Sequence, residues 1–244
     1  MKRALFLASS FSALAGCAQA TNALNESPFH NVLELTERLN HLVIGTRGMA
    51  RLYTEADIDW NFRTNSFSTP SDDRYTRLVN DGFRSYRLLV DGEVKAKSVY
   101  SIAELRALQY LAQITRHDCV EGWSAIGKWG GVPLHTVLSL AQPTPAARCV
   151  VFYCFDRADD GTPYYESLDL HEAMHPQTVL ALDLNNHPLD PDHGAPVRLR
   201  VPTQLGYKSA KWVHHIELVA ALDHIYDGKG GYWEDQGYEW YAGI

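Results

Sequence analysis

Cys119 stands in the run Ile114-Thr-Arg-His-Asp-Cys119-Val-Glu-Gly-Trp123-Ser, where a strand-like segment gives way to a Gly/Trp-rich loop. Arg116 and His117 are its neighbours in sequence. Positive charge favours the thiolate, which is both a nucleophile and a soft-metal ligand. A buried core cysteine is the plain alternative. A Cys–His nucleophile is another, but Asp118 and Glu121 oppose thiolate formation and no third group is in view to orient the imidazole.

A second constellation runs from His193-Gly-Ala-Pro-Val-Arg198-Leu-Arg200 to Gly206-Tyr-Lys208-Ser209-Ala210-Lys211-Trp212. Four cations and a histidine fall within 19 residues of an otherwise acidic chain. Gly206, Ser209 and Ala210 are small enough to let backbone N–H groups approach an anion. Arginine offers a planar fork and lysine a point charge. A phosphate or pyrophosphate is the natural guest; a strand edge guarded by lysines is the alternative.

His171-Glu172-Ala-Met-His175 satisfies the H-E-x-x-H zinc pattern. That chemistry needs both histidines on one face of a continuing helix, a glutamate base and a third ligand. Pro176 biases His175 out of helical geometry. A capped surface helix is therefore the simpler account, with a zinc hydrolase as the competing one.

These residues must be held by a scaffold, and strand signals dominate it. They occur at 86–90, 110–116, 148–154, 178–184, 197–201 and 213–219. Helices are expected at 32–43, 102–109, 134–141 and 169–174, with Ser101 and Glu104 in capping-box spacing. The stretch 46–84 reads as long and irregular, which is uncommon unless functional. Short, irregularly spaced helices among strands predict an α+β fold with mixed β-sheets rather than a regular βαβ alternation. Cys149 and Cys154 share a strand but lie on opposite faces roughly 16 Å apart, beyond the reach of about 7 Å that a disulfide allows.

The 244-residue chain has ordinary globular composition and is long enough to bury a core without staples. A net charge of −7 argues against a nucleic-acid partner. Residues 1–20, with Lys2-Arg3 ahead of an apolar run, have the layout of an export signal. Ala18-Gln19-Ala20 fits a cleavage site, whereas Leu14-Ala15-Gly16-Cys17 resembles a lipobox that would lipidate Cys17. Residues 21–54 are expected to form an N-terminal helical segment and 55–244 the working domain. The expected location is the periplasm or beyond, with a lipid anchor as one alternative.

Together these segments resemble the molybdopterin-binding domain of the sulfite oxidase family, above all its bacterial periplasmic branch of protein-methionine-sulfoxide reductases. The motifs that carry the likeness are Cys119-Val-Glu-Gly-Trp-Ser, Glu172-Ala-Met-His-Pro-Gln-Thr178, His193-Gly-Ala-Pro-Val-Arg198 and Ser209-Ala-Lys-Trp212. The supposed zinc motif falls inside a family segment that binds no zinc. The resemblance implies a molybdenum–molybdopterin cofactor, one metal per chain, with Cys119 as the protein thiolate on the metal.

It further implies that His193, Arg198, Ser209, Ala210 and Lys211 hold the pterin and its phosphate. Asn65, Ser68 and Thr69 would lie over the cofactor. Cys154 stands where the reductases carry a cofactor-contacting threonine, and Tyr164 matches an active-site tyrosine, with Tyr165 its near rival. With no Cys-x-x-Cys-His haem motif in the chain, electrons are expected to pass through a separate protein, either a membrane haem subunit or a soluble cytochrome. The chain ends soon after Trp212, with no room for the family's dimerisation domain, so a monomer is expected. Glu121, Trp123 and the acidic balance disfavour a dianion such as sulfite. A neutral sulfoxide, on a small molecule or a protein, is the expected substrate, and sulfite dehydrogenation or a non-catalytic docking role are the alternatives.

Overall fold

The computed structural model describes residues 48–65, 67–158 and 160–244. The export segment, Cys17 and the helix expected at 32–43 lie outside them. Within the described residues, ten strands and five α-helices form an α+β fold with two β-sheets, one of mixed strand direction and one antiparallel throughout. One sheet has the order β2-β1-β10-β5-β6, from Ser98–Tyr100, Leu88–Gly92, Val213–Val219, Cys149–Arg157 and Pro163–Asp169. In it β1 runs parallel to β10, and the other pairs are antiparallel. The other sheet has the order β3-β4-β7-β8, from Leu111–Cys119, Trp123–Pro133, Val179–Leu184 and His187–Pro188, and β9 (Arg198–Arg200) also pairs with β7.

The helices are α1 (Asp73–Asn80), α2 (Ile102–Ala107), α3 (Leu134–Ala141), α4 (Leu170–Ala173) and α5 (Tyr232–Asp235). Ser101 and Glu104 close the expected capping box on α2. Three expectations need correcting. The irregular stretch 46–84 contains α1, capped by Asp72, whose carboxylate accepts from the Tyr75 N–H. The segment after Cys119 is the long strand β4 rather than a loop. The α4 turn is not a surface helix, because Glu172 and Ala173 are buried.

Apolar side chains from both sheets and from α3 share one core, including Leu88, Val90, Val132, Val137, Phe152, Leu199, Trp212 and Ile216. A smaller cluster of Phe62, Ala125, Trp129, Ala181 and Leu184 lies elsewhere on β4 and β7. Phe62 meets Trp129 edge-on at 5.2 Å between ring centroids. That contact pins the segment after Phe62, and with it Asn65, against the second sheet.

Candidate active site

Period-two alternation along β3 buries Gln113, Thr115, His117 and Cys119 on one face. Cys119 is the last residue paired to β4, opposite Trp123. Val120, Glu121 and Gly122 make the hairpin loop, and Gly122 has φ +85°, a left-handed conformation that suits glycine at such a turn. The thiol is thereby fixed at the tip of a rigid hairpin.

The same alternation overturns part of the charge argument. Arg116 points to the opposite face, where its Nε donates to Asp118 at 2.9 Å. The cations that act on Cys119 are Arg198 and Arg63, which are remote in sequence. Burial nevertheless pushes the thiol above its ordinary range, with Glu121's charge adding to the rise. His117 is held well below the usual imidazole range by burial and by Arg200 and Arg198. Neither of its ring nitrogens has a hydrogen-bond partner among the described residues.

Strand β9 supplies Arg198 and Arg200, both fully buried. Arg198 donates to Asn65 Oδ1 at 2.9 Å and to the His193 carbonyl at 3.2 Å. Arg200 donates to the Arg116 carbonyl at 2.5 Å and to Ser209 Oγ at 3.3 Å. Both guanidiniums lie over the Trp129 ring, at 5.0 and 5.5 Å. Among the described residues neither pairs with a carboxylate, and each Nε lacks a partner. Lys211 Nζ donates to the carbonyls of Asn65 and Phe67 at 2.8 and 2.9 Å. Burial, with Arg198 beside it, pulls its ammonium down to about 7.

Two buried arginines that pair with no carboxylate among the described residues, with a lysine beside them, are costly unless an anion joins them. The donor set therefore fits a phosphate-bearing organic group, and the thiol on β3, whose Arg116 carbonyl accepts from Arg200, fits a metal carried by that group.

The other expected residues fall as follows. Ser209 Oγ accepts from the Val201 N–H at 3.1 Å, and Ala210 is bound through its carbonyl to Leu199 N–H at 2.8 Å. Ser209, Ala210, Lys211, Asn65 and Tyr164 line one narrow inner pocket. Ser68 and Thr69 instead line an open cleft of about 630 Å³ beside it. His193 sends its ring nitrogens to the Asp190 carboxylate at 2.8 Å and to the Phe62 carbonyl at 2.9 Å, so its ring holds the 62–65 segment. The Tyr164 hydroxyl donates to the Tyr207 carbonyl at 3.0 Å. Tyr165 donates away from the pocket, to Asp235 at 2.7 Å. Cys154 packs in the main core with its sulfur 3.9 Å from the Phe152 carbonyl.

Lys208, grouped by sequence with the anion-binding cations, faces elsewhere. Its Nζ lies 2.5 Å from both Glu166 and Glu234. Arg63 and Asp156 are site residues that no sequence motif singled out, and His117, weighed there only as a base for Cys119, shares the buried face of β3 with the thiol. For His117 the alternation of β3 was the available signal. In the H-E-x-x-H segment the α4 turn ends at Ala173, and His175 Nδ1 accepts from the Gln177 N–H at 3.2 Å. Cys119, Cys149 and Cys154 are all free.

Residues 76–225 match the oxidoreductase molybdopterin-binding domain family. A chain from Azospira oryzae named as subunit YedZ1 of a protein-methionine-sulfoxide reductase is 39% identical over 236 residues, covering 95% of this chain and 82% of its own length. The protein-methionine-sulfoxide reductase catalytic subunits MsrP of Campylobacter jejuni and Xanthomonas campestris are 32% and 38% identical. Those matches cover 62% and 54% of this chain, and 55% and 44% of the respective relatives. Among solved structures, the sulfane dehydrogenase SoxCD of Paracoccus pantotrophus superposes with a TM-score of 0.51 at 22% identity, over 56% of this chain and 39% of that one. The chain belongs to the oxidoreductase molybdopterin-binding domain family, and is an oxidoreductase with the sulfite-oxidase type of fold.

Proposed function

We propose that this chain is the catalytic part of an exported enzyme that reduces S-oxides with a molybdenum–molybdopterin cofactor, one metal per chain. The observation that carries the proposal is the buried pair Arg198 and Arg200, bonded to no carboxylate among the described residues, with Lys211 beside them and the strand that ends in Cys119 within reach of Arg200. When bound, the molybdenum centre supplies coupled transfer of one oxygen atom and two electrons. The protein's part is positional and electrostatic. Cys119 would ligate the metal from the hairpin tip. Arg198, Arg200, Lys211 and the 209–211 backbone would grip the phosphate-bearing carrier, with Asn65 pinned over it by Arg198 and Lys211.

Tyr164, buried at the pocket wall, would have to release the Tyr207 carbonyl to hydrogen-bond the oxygen in transit. Ser68, Thr69, Cys154 and His193 complete the residues we assign to cofactor binding, His193 through the segment its ring fixes. The direction follows from charge: Glu121 beside the thiol and a net charge of −7 repel a sulfite dianion but leave a neutral sulfoxide unaffected. The names of the relatives point the same way. Electrons would come from a separate redox protein, a membrane haem subunit or a cytochrome. No helix among the described residues is long and apolar enough to cross a membrane. Export itself rests on residues 1–20, with Cys17 as the residue a lipid would modify.

Elemental analysis joined to a substrate panel with a reduced-dye donor tests the reading. Protein made in molybdenum-competent cells should carry close to one molybdenum per chain and reduce methionine sulfoxide faster than it oxidises sulfite. Cys119→Ser should abolish turnover. Metal-free protein, or zinc in place of molybdenum, would refute it, and faster sulfite oxidation would reverse the direction.

A further inference from the structure

Asp156 lies near the end of β5, in the apolar run Tyr153-Cys-Phe-Asp156. It is 3% exposed, and its Oδ1 has no hydrogen-bond partner among the described residues. Among the described residues it is also the one that lines both spaces described above. On one side is the open cleft walled by Phe67, Thr69 and Asp72; on the other is the inner pocket with Asn65, Tyr164 and Lys211. A carboxyl group thus forms part of the partition between the open cleft and the pocket that holds Tyr164.

Reduction of a sulfoxide needs more than electrons. The sulfur–oxygen bond breaks, two O–H bonds form, and a sulfide and a water molecule leave. Each turnover therefore consumes two electrons and two protons for every sulfoxide reduced. On the function proposed above the electrons come from the partner protein, and the protons must enter through this chain. We infer that Asp156 passes protons from the open cleft to the inner pocket, giving its proton inward and regaining one from water in the cleft.

The surroundings suit that task. Burial raises the Asp156 carboxyl to about 7, with Lys211 opposing the rise. A group poised there is close to half protonated at neutral pH, so it can both give and regain a proton. The titratable groups that face it are Lys211 from the segment before β10, Tyr164 from β6, Tyr75 from α1 and Cys154 from its own strand. Tyr75, Tyr164 and Cys154 are all held protonated by burial, so Lys211 is the cation set against it. The inference depends on the assigned reaction for its use, but the location and basicity of the carboxyl can be measured without turnover.

Two readouts therefore test it on the full-length, cofactor-loaded enzyme. Carbon-13 NMR of labelled aspartate should reveal one carboxyl titrating near 7, absent from Asp156→Asn. The same variant should lower kcat by about 100-fold, leave KM unchanged and remove the fall in kcat on the alkaline side of pH 7. Asp156→Glu should restore that limb. An Asp156→Asn enzyme with the wild-type pH profile, or a near-neutral signal that survives in it, overturns the inference. If no molybdenum is found, the proposed function fails separately, and the titration alone decides whether Asp156 holds the proton.

Discussion

The bare α-carbon of Gly206 faces the ring of His117. A Cβ on Gly206 would come within 2.5 Å of His117 Nε2 and 3.3 Å of the Asp118 carbonyl. Phe62 and Trp123 flank the same imidazole at 6.0 and 5.6 Å, so the ring has little room to retreat. Gly206→Ala should therefore overpack the site and cost about 1–3 kcal/mol. It should also lower molybdenum content, because the displaced ring shares a strand face with Cys119. Wild-type metal loading together with an unshifted denaturation midpoint would dismiss this account.

The buried triad of Lys208, Glu166 and Glu234 makes a sharper contrast. Burial, followed by the charge of Glu234, pushes Glu166 well above the carboxylate range, so it is held as a neutral acid while Lys208 keeps its charge. Lys208→Met should cost about 3–5 kcal/mol, since it strands a buried charge. Glu166→Gln should be nearly neutral, because the amide oxygen can still accept from Lys208 and from the Ser167 N–H. Urea denaturation of the two variants checks the asymmetry. Equal losses would mean that Glu166 is ionised after all.

The position of Lys208 also marks where sequence reading ran out. The strand leading to Cys119 and the cation-rich composition of 193–212 were legible. The direction of Lys208 was not, because it depends on α5 folding back to bring Glu234 beside β6. Strand β4 was hidden by Trp129-Gly-Gly-Val-Pro, which reads locally as a loop. Those glycines instead leave room for close neighbours, a Cβ on Gly131 meeting the Leu180 carbonyl of β7 and one on Gly130 the Tyr110 hydroxyl. Helix α1 had a usable signal in Asp72 and the spacing of Tyr75, Leu78 and Val79, which the surrounding polar residues masked. No sequence motif singles out Asp156, and only the arrangement of the two spaces gives it a role.

An anion should stabilise the metal-free protein through the arginine pair. Pyrophosphate at 100 times its dissociation constant contributes about 2.7 kcal/mol, which for a chain of this size raises Tm by roughly 5–10 °C. Arg200→Met should lose most of that response, whereas Arg106→Met, at the exposed pair with Asp183, should retain it. A pyrophosphate effect of equal size in both variants would move the anion site away from β9.

His214 gives a pH dependence whose sign can be worked out. Burial against Phe155, 4.6 Å away between ring centroids, lowers its imidazole to about 4, and the charges of Arg74 and His215 add to the fall. The folded state holds this ring neutral at pH values where the unfolded chain has already protonated it. The stabilisation is therefore complete above about 6.5, the ordinary imidazole value, and is lost as pH falls towards 4. Across that window unfolding takes up about one additional proton at this residue. Asp156 tilts the opposite way, because its raised carboxyl favours the folded state at low pH and loses that advantage as pH rises through 7. The two slopes offset each other in the wild type, so only a difference measurement isolates either. The stability of His214→Phe relative to wild type should improve steadily from pH 6.5 down to 4.5. A relative stability that stays constant over that range would place the ring in solvent rather than against Phe155.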